Sequence, residues 1–249
     1  MDAVNTILSH RSVRKYKDKD IEPQLLKSIL EAGIRASTTG NMQVYSIVVT
    51  ADKEIKTQLA PAHFNQPMVK EAPVVLTFCA DFNRFNKWCL QRNAEPGYDN
   101  FISFMTAAID ALLVAQNVCI AAEANGLGIC YLGTAIYNAD KIINTLKLPR
   151  GVIPVTTVTI GYPNEMPELV ERLPLEAVIH QEVYHDYSQN DINRLYSEKE
   201  SLEINKQFAK ENNKETLAQV FTDVRYTKSN NEHFSKVLLE VIKSQGFIE

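Results

Sequence analysis

The first 161 residues alternate between two patterns of apolar positions. Four short runs rich in β-branched residues predict strands, namely 44–50, 74–79, 129–132 and 154–161. Apolar residues at helical spacing predict helices over 2–9, 22–36, 53–60, 101–125 and 138–147. Asp2 stands at the N-cap position of the first helix, whose Val4, Ile7 and Leu8 share one face, and Pro23 begins the second. Helix and strand therefore alternate through this part of the chain.

The longest helical pattern, 101–125, is apolar on more than one face, and many of its apolar residues are small. A helix of this kind must be buried on most sides, and its small residues suit a central or inter-subunit position. Asp110, Gln116, Asn117 and Glu123 interrupt the apolar surface. Each of these side chains needs a hydrogen-bond partner if it is buried.

The pattern changes near residue 188, where the chain becomes charged and rich in asparagine. A sparse helical period runs through 190–210, and a clearer one runs through 234–243. We expect residues 1–187 to form the core and 188–249 to form a helical extension on that core or on a partner subunit. A mobile lid is the alternative for this segment.

Composition excludes several classes of protein. The 249 residues are 45% hydrophobic and 22% charged, which is typical of a globular chain with a sizeable core. The net charge of -4 and the lack of a long basic block argue against nucleic acid or an anionic membrane as a partner. We expect no secretory signal, and no apolar stretch of the roughly 18 residues that a membrane span requires.

Cysteines and histidines indicate neither disulfides nor metal. No C-x-x-C pair occurs, so we expect reduced, mostly buried thiols in a cytoplasmic protein, at Cys79, Cys89, Cys119 and Cys130. The five histidines have no metal-binding spacing, and we expect no metal site. No G-x-S-x-G elbow, P-loop or H-E-x-x-H motif is present, so the chain has no recognisable hydrolytic, phosphoryl-transfer or zinc machinery.

Two glycine-containing segments flank the third predicted strand. Gly126-x-Gly128 follows a helix and enters a strand, the reverse of a Rossmann fingerprint, so we interpret it as a helix C-cap. A nicotinamide nucleotide would bind without a Rossmann domain. Tyr131-Leu132-Gly133-Thr134 lies at the strand's C-terminal end, where a backbone with little side-chain cover can approach a planar ligand. An ordinary strand end is the alternative.

Candidate chemistry is concentrated in His10-Arg11-Ser12-Val13-Arg14. Two guanidinium groups bracket a hydroxyl, and arginine forks bind phosphate oxygens bidentately, so the three can converge on one anion. The alternative is a solvated basic end of the first helix. Thr38, Gln66 and Arg172 are ordinary loop residues when each is considered alone.

Four blocks together resemble the FMN-dependent nitroreductase superfamily. The resemblance is closer to its NADPH-preferring flavin reductase and oxygen-insensitive nitroreductase branch, and it covers roughly residues 4–187. The blocks are HRSVRKY at 10–16, ASTTGNMQ at 36–43, AIDALLVAQNVCIAAEANGLGICYLG at 108–133, and GYP followed by ERLP within 161–174.

The resemblance implies an α+β homodimer, with helices around a central mixed sheet and one FMN at each subunit interface. His10, Arg11, Ser12 and Arg14 would hold the phosphate and ribityl end, with Arg172 as a further cation. Thr38 and Gln66 would contact the flavin. Tyr131, Leu132 and Gly133 would back the isoalloxazine ring.

The activity implied is reduction of nitroaromatics, quinones or flavins by NADPH or NADH, through ping-pong hydride transfer. The flavin carries out the redox step itself, so no catalytic side chain is expected. A dedicated flavin reductase that serves a partner, or a flavin-binding redox module with little turnover, remains an alternative.

Two positions depart from the family pattern. Thr134 replaces the second glycine of Y-[IL]-G-G, and Val170 replaces a basic residue two positions before Arg172. The C-terminal extension, which in this branch helps to bind the NADPH 2′-phosphate, matches poorly. Arg225 is the substitute we consider for that role.

Overall fold

The structure, a computed structural model, describes residues 2–249. It contains one four-stranded sheet with the order β1-β2-β4-β3, in which every neighbouring pair is antiparallel. A single isolated bridge, between Ser12 and Ile129, is parallel. The sheet was expected to be mixed, and the structure instead has an antiparallel sheet with this one parallel bridge beside it. The strands are β1 (Tyr45–Thr50), β2 (Val74–Asp81), β3 (Gly128–Leu132) and β4 (Val152–Gly161).

Eleven α-helices occur within residues 2–249. Each of the five predicted helices and four predicted strands is confirmed, with bounds that differ by up to three residues. The helices are α1 (Ala3–Leu8), α2 (Pro23–Gly33), α3 (Lys53–Leu59), α4 (Met68–Glu71), α5 (Asn83–Leu90), α6 (Phe101–Ala124), α7 (Ala139–Leu146), α8 (Gln189–Ser201), α9 (Glu203–Glu211), α10 (Leu217–Val220) and α11 (Lys228–Ser244).

The main core lies between the sheet and helix α6. Leu76 and Phe78 of β2 and Ile160 of β4 pack with Val118 of α6 in one buried cluster. Gly33, the last residue of α2, permits the close approach of α2 to α6, because a Cβ atom there would lie 2.2 Å from a methyl carbon of Val118. The small residues of α6 thus place it at the centre of the fold, as predicted.

Helix α6 also corrects an expectation about membranes. By length and composition it could cross a membrane, with a mean hydropathy of 1.7 over its most apolar window, so an apolar stretch of that length does exist. Half of this window is buried within the fold, which is typical of a core helix. The opposite side of α6 carries exposed apolar side chains, namely Phe101, Ile102, Met105, Ile109, Leu112 and Leu113.

The apolar face of α1 points away from the core. Asp2 caps the helix as predicted, accepting from the Asn5 backbone N–H at 2.9 Å. The face that carries Val4, Ile7 and Leu8 is exposed, and Thr6 is the buried residue. The apolar face of this short helix therefore lies outside the core of the subunit.

Two compact units make up the chain. The first, here called the core unit, comprises the chain up to Glu168 together with Phe234–Glu249, and the second comprises Leu169–His233. The boundary predicted between residues 187 and 188 stays a prediction. The four cysteines are free and buried, as predicted.

Candidate flavin site

The basic N-terminal segment lies beside strand β3. Helix α1 ends at Leu8, and the segment that follows is extended, with the Val13 N–H donating to the Ile129 carbonyl at 2.8 Å. Gly128 allows this contact, since a Cβ atom there would lie 2.7 Å from the Val13 side chain. Arg11 and Arg14 therefore lie in the extended segment beyond the helix.

The structure distributes the polar side chains of this segment over different neighbours. His10 Nδ1 lies 2.7 Å from Glu123 Oε1 near the end of α6, which gives Glu123 the partner that its burial requires. Arg11 Nη1 donates to the Ser9 carbonyl at 2.8 Å, and its side chain lines a cavity of about 210 Å³ together with Glu123. Arg14 is an exposed residue. Burial raises the pKa of the Cys130 thiol, and the nearby Arg14 guanidinium partly opposes this shift. Neither guanidinium forms an ion pair within residues 2–249.

The end of β3 presents an open stretch of backbone. Tyr131 is half-buried, Leu132 is buried and Gly133 is exposed. Apart from Gly133 itself and its two neighbours in the chain, no heavy atom of residues 2–249 lies within 4 Å of the position that a Cβ atom at Gly133 would occupy. Burial raises the pKa of the Tyr131 hydroxyl, which therefore stays protonated. The main chain is therefore accessible here, and the approach of a planar ligand stays a prediction.

A buried histidine supports this strand end from behind. Thr134 Oγ1 lies 2.8 Å from His63 Nδ1, and the His63 side chain has no exposed surface. Burial lowers the pKa of His63 to about 4, so the imidazole is neutral near pH 7. The Gln66 N–H donates to the His63 carbonyl at 3.2 Å, which connects half-buried Gln66 to the same turn.

A second turn, 38–43, is held by helix α6. The Thr39 N–H donates to Asp110 Oδ1 at 3.0 Å, and the Thr39 hydroxyl donates to the same oxygen at 3.3 Å. Asp110 is only 1% exposed, and its Oδ2 has no partner in the described residues. Gly40, the next residue, has a positive φ of 54°. Half-buried Thr38 stands immediately before this bonded residue.

The remaining predicted site residues belong to the second unit. Arg172 Nη1 donates to the carbonyls of Val170 and Glu171 at 3.2 and 3.0 Å. The Arg225 guanidinium lies 5.1 Å from the centre of the Phe208 ring. Both arginines are thus held by neighbours in their own unit.

Two features of the core unit were not predicted. One is the bond between His63 and Thr134, which lie 71 positions apart in sequence. The other is an aromatic group beside them, in which Phe234 stacks on Tyr137 at 4.8 Å and contacts Phe64 edge-on at 5.9 Å. No local pattern marks residues this distant as neighbours. The described residues contain no group of three or more potential metal ligands among His, Cys, Asp and Glu.

Comparison with known proteins identifies the family. Residues 7–162 match the model of the nitroreductase family. An FMN reductase (NADPH) of Bacillus subtilis strain 168 is 34% identical over 186 residues, which cover 74% of this chain and 75% of that protein.

Solved structures extend the similarity to the whole chain. A Bacteroides fragilis NCTC 9343 protein provisionally described as an oxidoreductase is 62% identical, with a TM-score of 0.97 over 98% of this chain and 100% of that one. The NfrA1 nitroreductase of B. subtilis is 29% identical, with a TM-score of 0.87 over 99% of both chains. The chain therefore belongs to the nitroreductase family.

Proposed function

We propose that this chain is an NAD(P)H-dependent FMN oxidoreductase with its flavin site at the end of strand β3. The observation that carries the proposal is the open backbone at Gly133, close in sequence to the half-buried ring of Tyr131. The names of relatives, FMN reductase (NADPH) and NADPH-flavin oxidoreductase, support the same cofactor and donor.

The residues present fit the phosphate end of FMN. Arg11 and Arg14 carry permanent charges without carboxylate partners in residues 2–249, so an anion can bind them without breaking an ion pair. His10 and Ser12 supply neighbouring polar groups, and Arg172 supplies a further cation. Because Arg11 and Arg14 have different neighbours, we assign them to different oxygens of the phosphate and ribityl end.

We assign the remaining residues to the planar isoalloxazine ring and the adjoining ribityl chain. Tyr131, Leu132 and Gly133 back the ring, and Thr38 and Gln66 contact its edge and the ribityl chain. FMN, when bound, supplies the redox chemistry, accepting hydride from NAD(P)H and passing electrons to an acceptor. The protein binds and orients the cofactor, and no side chain needs to act as an acid or base for hydride transfer.

A homodimer explains the exposed apolar faces. Helices α6 and α1 present large apolar side chains, with Ile102 71% exposed and Leu8 69% exposed. Apolar surface on this scale marks an interaction site. We assign both faces to contact with a second copy of the chain, with residues 188–249 as the extension that packs on the core or on the partner. The dimer is a soluble cytoplasmic enzyme.

The proposed acceptors are nitroaromatics, quinones and free flavins, reduced in a ping-pong cycle. NADPH or NADH serves as donor, and Arg225 is our candidate for the NADPH 2′-phosphate. A flavin reductase that serves a partner enzyme is the second candidate, favoured by the names of the relatives. Acceptor kinetics distinguish them, because a dedicated flavin reductase has a much higher kcat/KM for flavin than for nitroaromatics.

The decisive experiment is the visible spectrum of the purified protein before and after anaerobic NADPH. We expect flavin bands that bleach with NADPH and return when a quinone is added afterwards. A colourless protein that FMN cannot reconstitute would overturn the proposal. Flavin that bleaches only slowly with either donor would instead indicate a redox module.

Arginine variants test the phosphate assignment. Arg14→Ala and Arg11→Ala should each weaken FMN binding by about 1.5–3 kcal/mol, the scale of a charge-assisted hydrogen bond. Lys15→Ala is the matched control, since exposed Lys15 pairs with Glu165 at 3.0 Å and has no assigned role. Fluorescence titration with FMN measures all three. Unchanged affinity in both arginine variants would refute the assignment.

A further inference from the structure

A second cavity of the core unit is lined mainly by charged side chains. It has a volume of about 470 Å³ and lies among the segment that follows Tyr16, the start of α3 and the end of α4. None of the residues assigned to the flavin lines it. Its five lysines are Lys17, Lys19, Lys53, Lys56 and Lys70.

Lys56 is the unusual member of this group, because it is only 4% exposed. Its Nζ donates to the Ala72 carbonyl at 2.6 Å. An ammonium group has three N–H donors, and a buried charge is costly unless it is paired. Within residues 2–249, Lys56 forms no ion pair with a carboxylate. Burial and neighbouring Lys53 lower its pKa, while Asp20 and Asp52 act in the opposite direction.

The other lysines of the cavity are not paired with its acidic residues. Lys17, Lys53 and Lys70 are exposed and form no ion pair in the described part of the chain, and Lys19 lies over the Tyr162 ring at 4.0 Å. Three acidic residues share the lining with the five lysines, which leaves a positive excess. The cavity therefore combines an exposed basic rim with one buried cation.

We infer that this cavity binds the phosphate monoester of a small molecule, with Lys56 as the buried cation. A dianionic phosphate can accept from the remaining Lys56 donors and from the rim lysines at the same time. The volume lies within the range of pockets that enclose small molecules, so the organic part of the ligand has room as well. This inference does not depend on the flavin site.

Pyridoxal 5′-phosphate is a suitable probe, because it joins a phosphate monoester to an aldehyde. The Lys56 amine adds to the aldehyde carbon, the carbonyl oxygen leaves as water, and added cyanoborohydride reduces the imine to a stable secondary amine. FMN-saturated protein is used so that the flavin site is filled, and peptide mass spectrometry locates the label. We expect pyridoxal 5′-phosphate to label Lys56, and we expect inorganic phosphate to suppress this labelling. Pyridoxal, which lacks the phosphate, should label Lys56 about tenfold less efficiently. Equal labelling by both aldehydes, or none at Lys56, would overturn the inference.

Variants of the exposed rim lysines test the site without replacing the buried Lys56, so the folded structure should be kept. The double variant Lys53→Met with Lys70→Met changes only exposed side chains and should reduce labelling of Lys56 about tenfold. Lys27→Met is the matched control, since Lys27 is an exposed lysine of α2 outside the cavity. NADPH oxidation should stay unchanged in both variants, so this test can fail while the flavin assignment stands. Undiminished labelling in the double variant would count against the site.

Discussion

Two turns assigned to the flavin are each held by one buried polar side chain, and the two side chains differ in kind. Asp110 is a carboxylate that accepts directly from the backbone N–H of Thr39. His63 is a neutral imidazole that bonds to the hydroxyl of Thr134. The first therefore fixes main chain, whereas the second fixes a side chain.

This difference predicts unequal costs of loss. A backbone N–H has one geometry, and without Asp110 it loses its acceptor. A threonine hydroxyl can rotate to another hydrogen-bond partner, so loss of His63 as a partner is easier to accommodate. Each support also has one unpartnered atom within residues 2–249, Oδ2 of Asp110 and Nε2 of His63, so neither network is fully satisfied. The carboxylate support should therefore be the more important of the two.

Removal of the carboxylate is the most severe test of this comparison. Asp110→Ala should lower the free energy of unfolding by about 2–4 kcal/mol, because it leaves the Thr39 N–H unpaired and opens a small cavity. Asp110→Asn keeps an acceptor oxygen and should lose less than half as much. Urea denaturation of the apoprotein measures both. An Asp110→Ala variant within 0.5 kcal/mol of the parent would eliminate the difference between the turns.

The histidine support should be sensitive to pH instead. Burial lowers the folded pKa of His63 from 6.5 to about 4, so the unfolded chain takes up the proton first as the pH falls. The stabilisation is complete above pH 6.5 and disappears as the pH falls through about 4. Between pH 7 and 4.5 the parent should lose about 2–3 kcal/mol more than His63→Asn, which has no titrating ring. Urea denaturation at each pH measures the free energy of unfolding of both proteins. If this free energy changed with pH in the same way for both, the expectation would be contradicted.

The smallest effect is expected at the hydroxyl itself. Thr134→Val preserves the branched shape but removes the bond to His63, which should cost about 1 kcal/mol. Thr134→Ser restores the hydroxyl and should recover most of the loss. Thermal unfolding of the three proteins, compared at one concentration, provides the measurement. If Thr134→Val cost as much as Asp110→Ala, the proposed ranking of the two supports would be refuted.

The sequence could predict one of these supports and not the other. Asp110 interrupts an apolar helix, and a carboxylate in that setting needs a partner, which indicated a buried hydrogen bond before its donor was known. His63 ends a short 3-10 helix, Ala60–His63, whose sequence has no clear periodicity, and its partner is 71 residues away. Pairs of this kind are created by tertiary packing, so the local spacing of residues in the sequence cannot predict them.

The same reasoning explains the errors in the fold. Strands were located because their segments are rich in β-branched residues. Helix α5 was missed because it is only 8 residues long, although Phe85, Trp88 and Cys89 stand at helical spacing. The apolar face of α1 was recognised, but its direction depends on what covers it, and in the single subunit Val4 and Ile7 are exposed. Periodicity identifies an apolar face without identifying the surface that it meets.

The buried cysteines have a consequence for an enzyme that handles electrophiles. Quinones and the partly reduced products of nitroaromatics alkylate thiolates, and only the thiolate form reacts readily. Burial raises the pKa of Cys79 to about 12 and raises those of Cys119 and Cys130 as well. These three thiols are therefore protonated and shielded, and the products of the enzyme should not inactivate it through them.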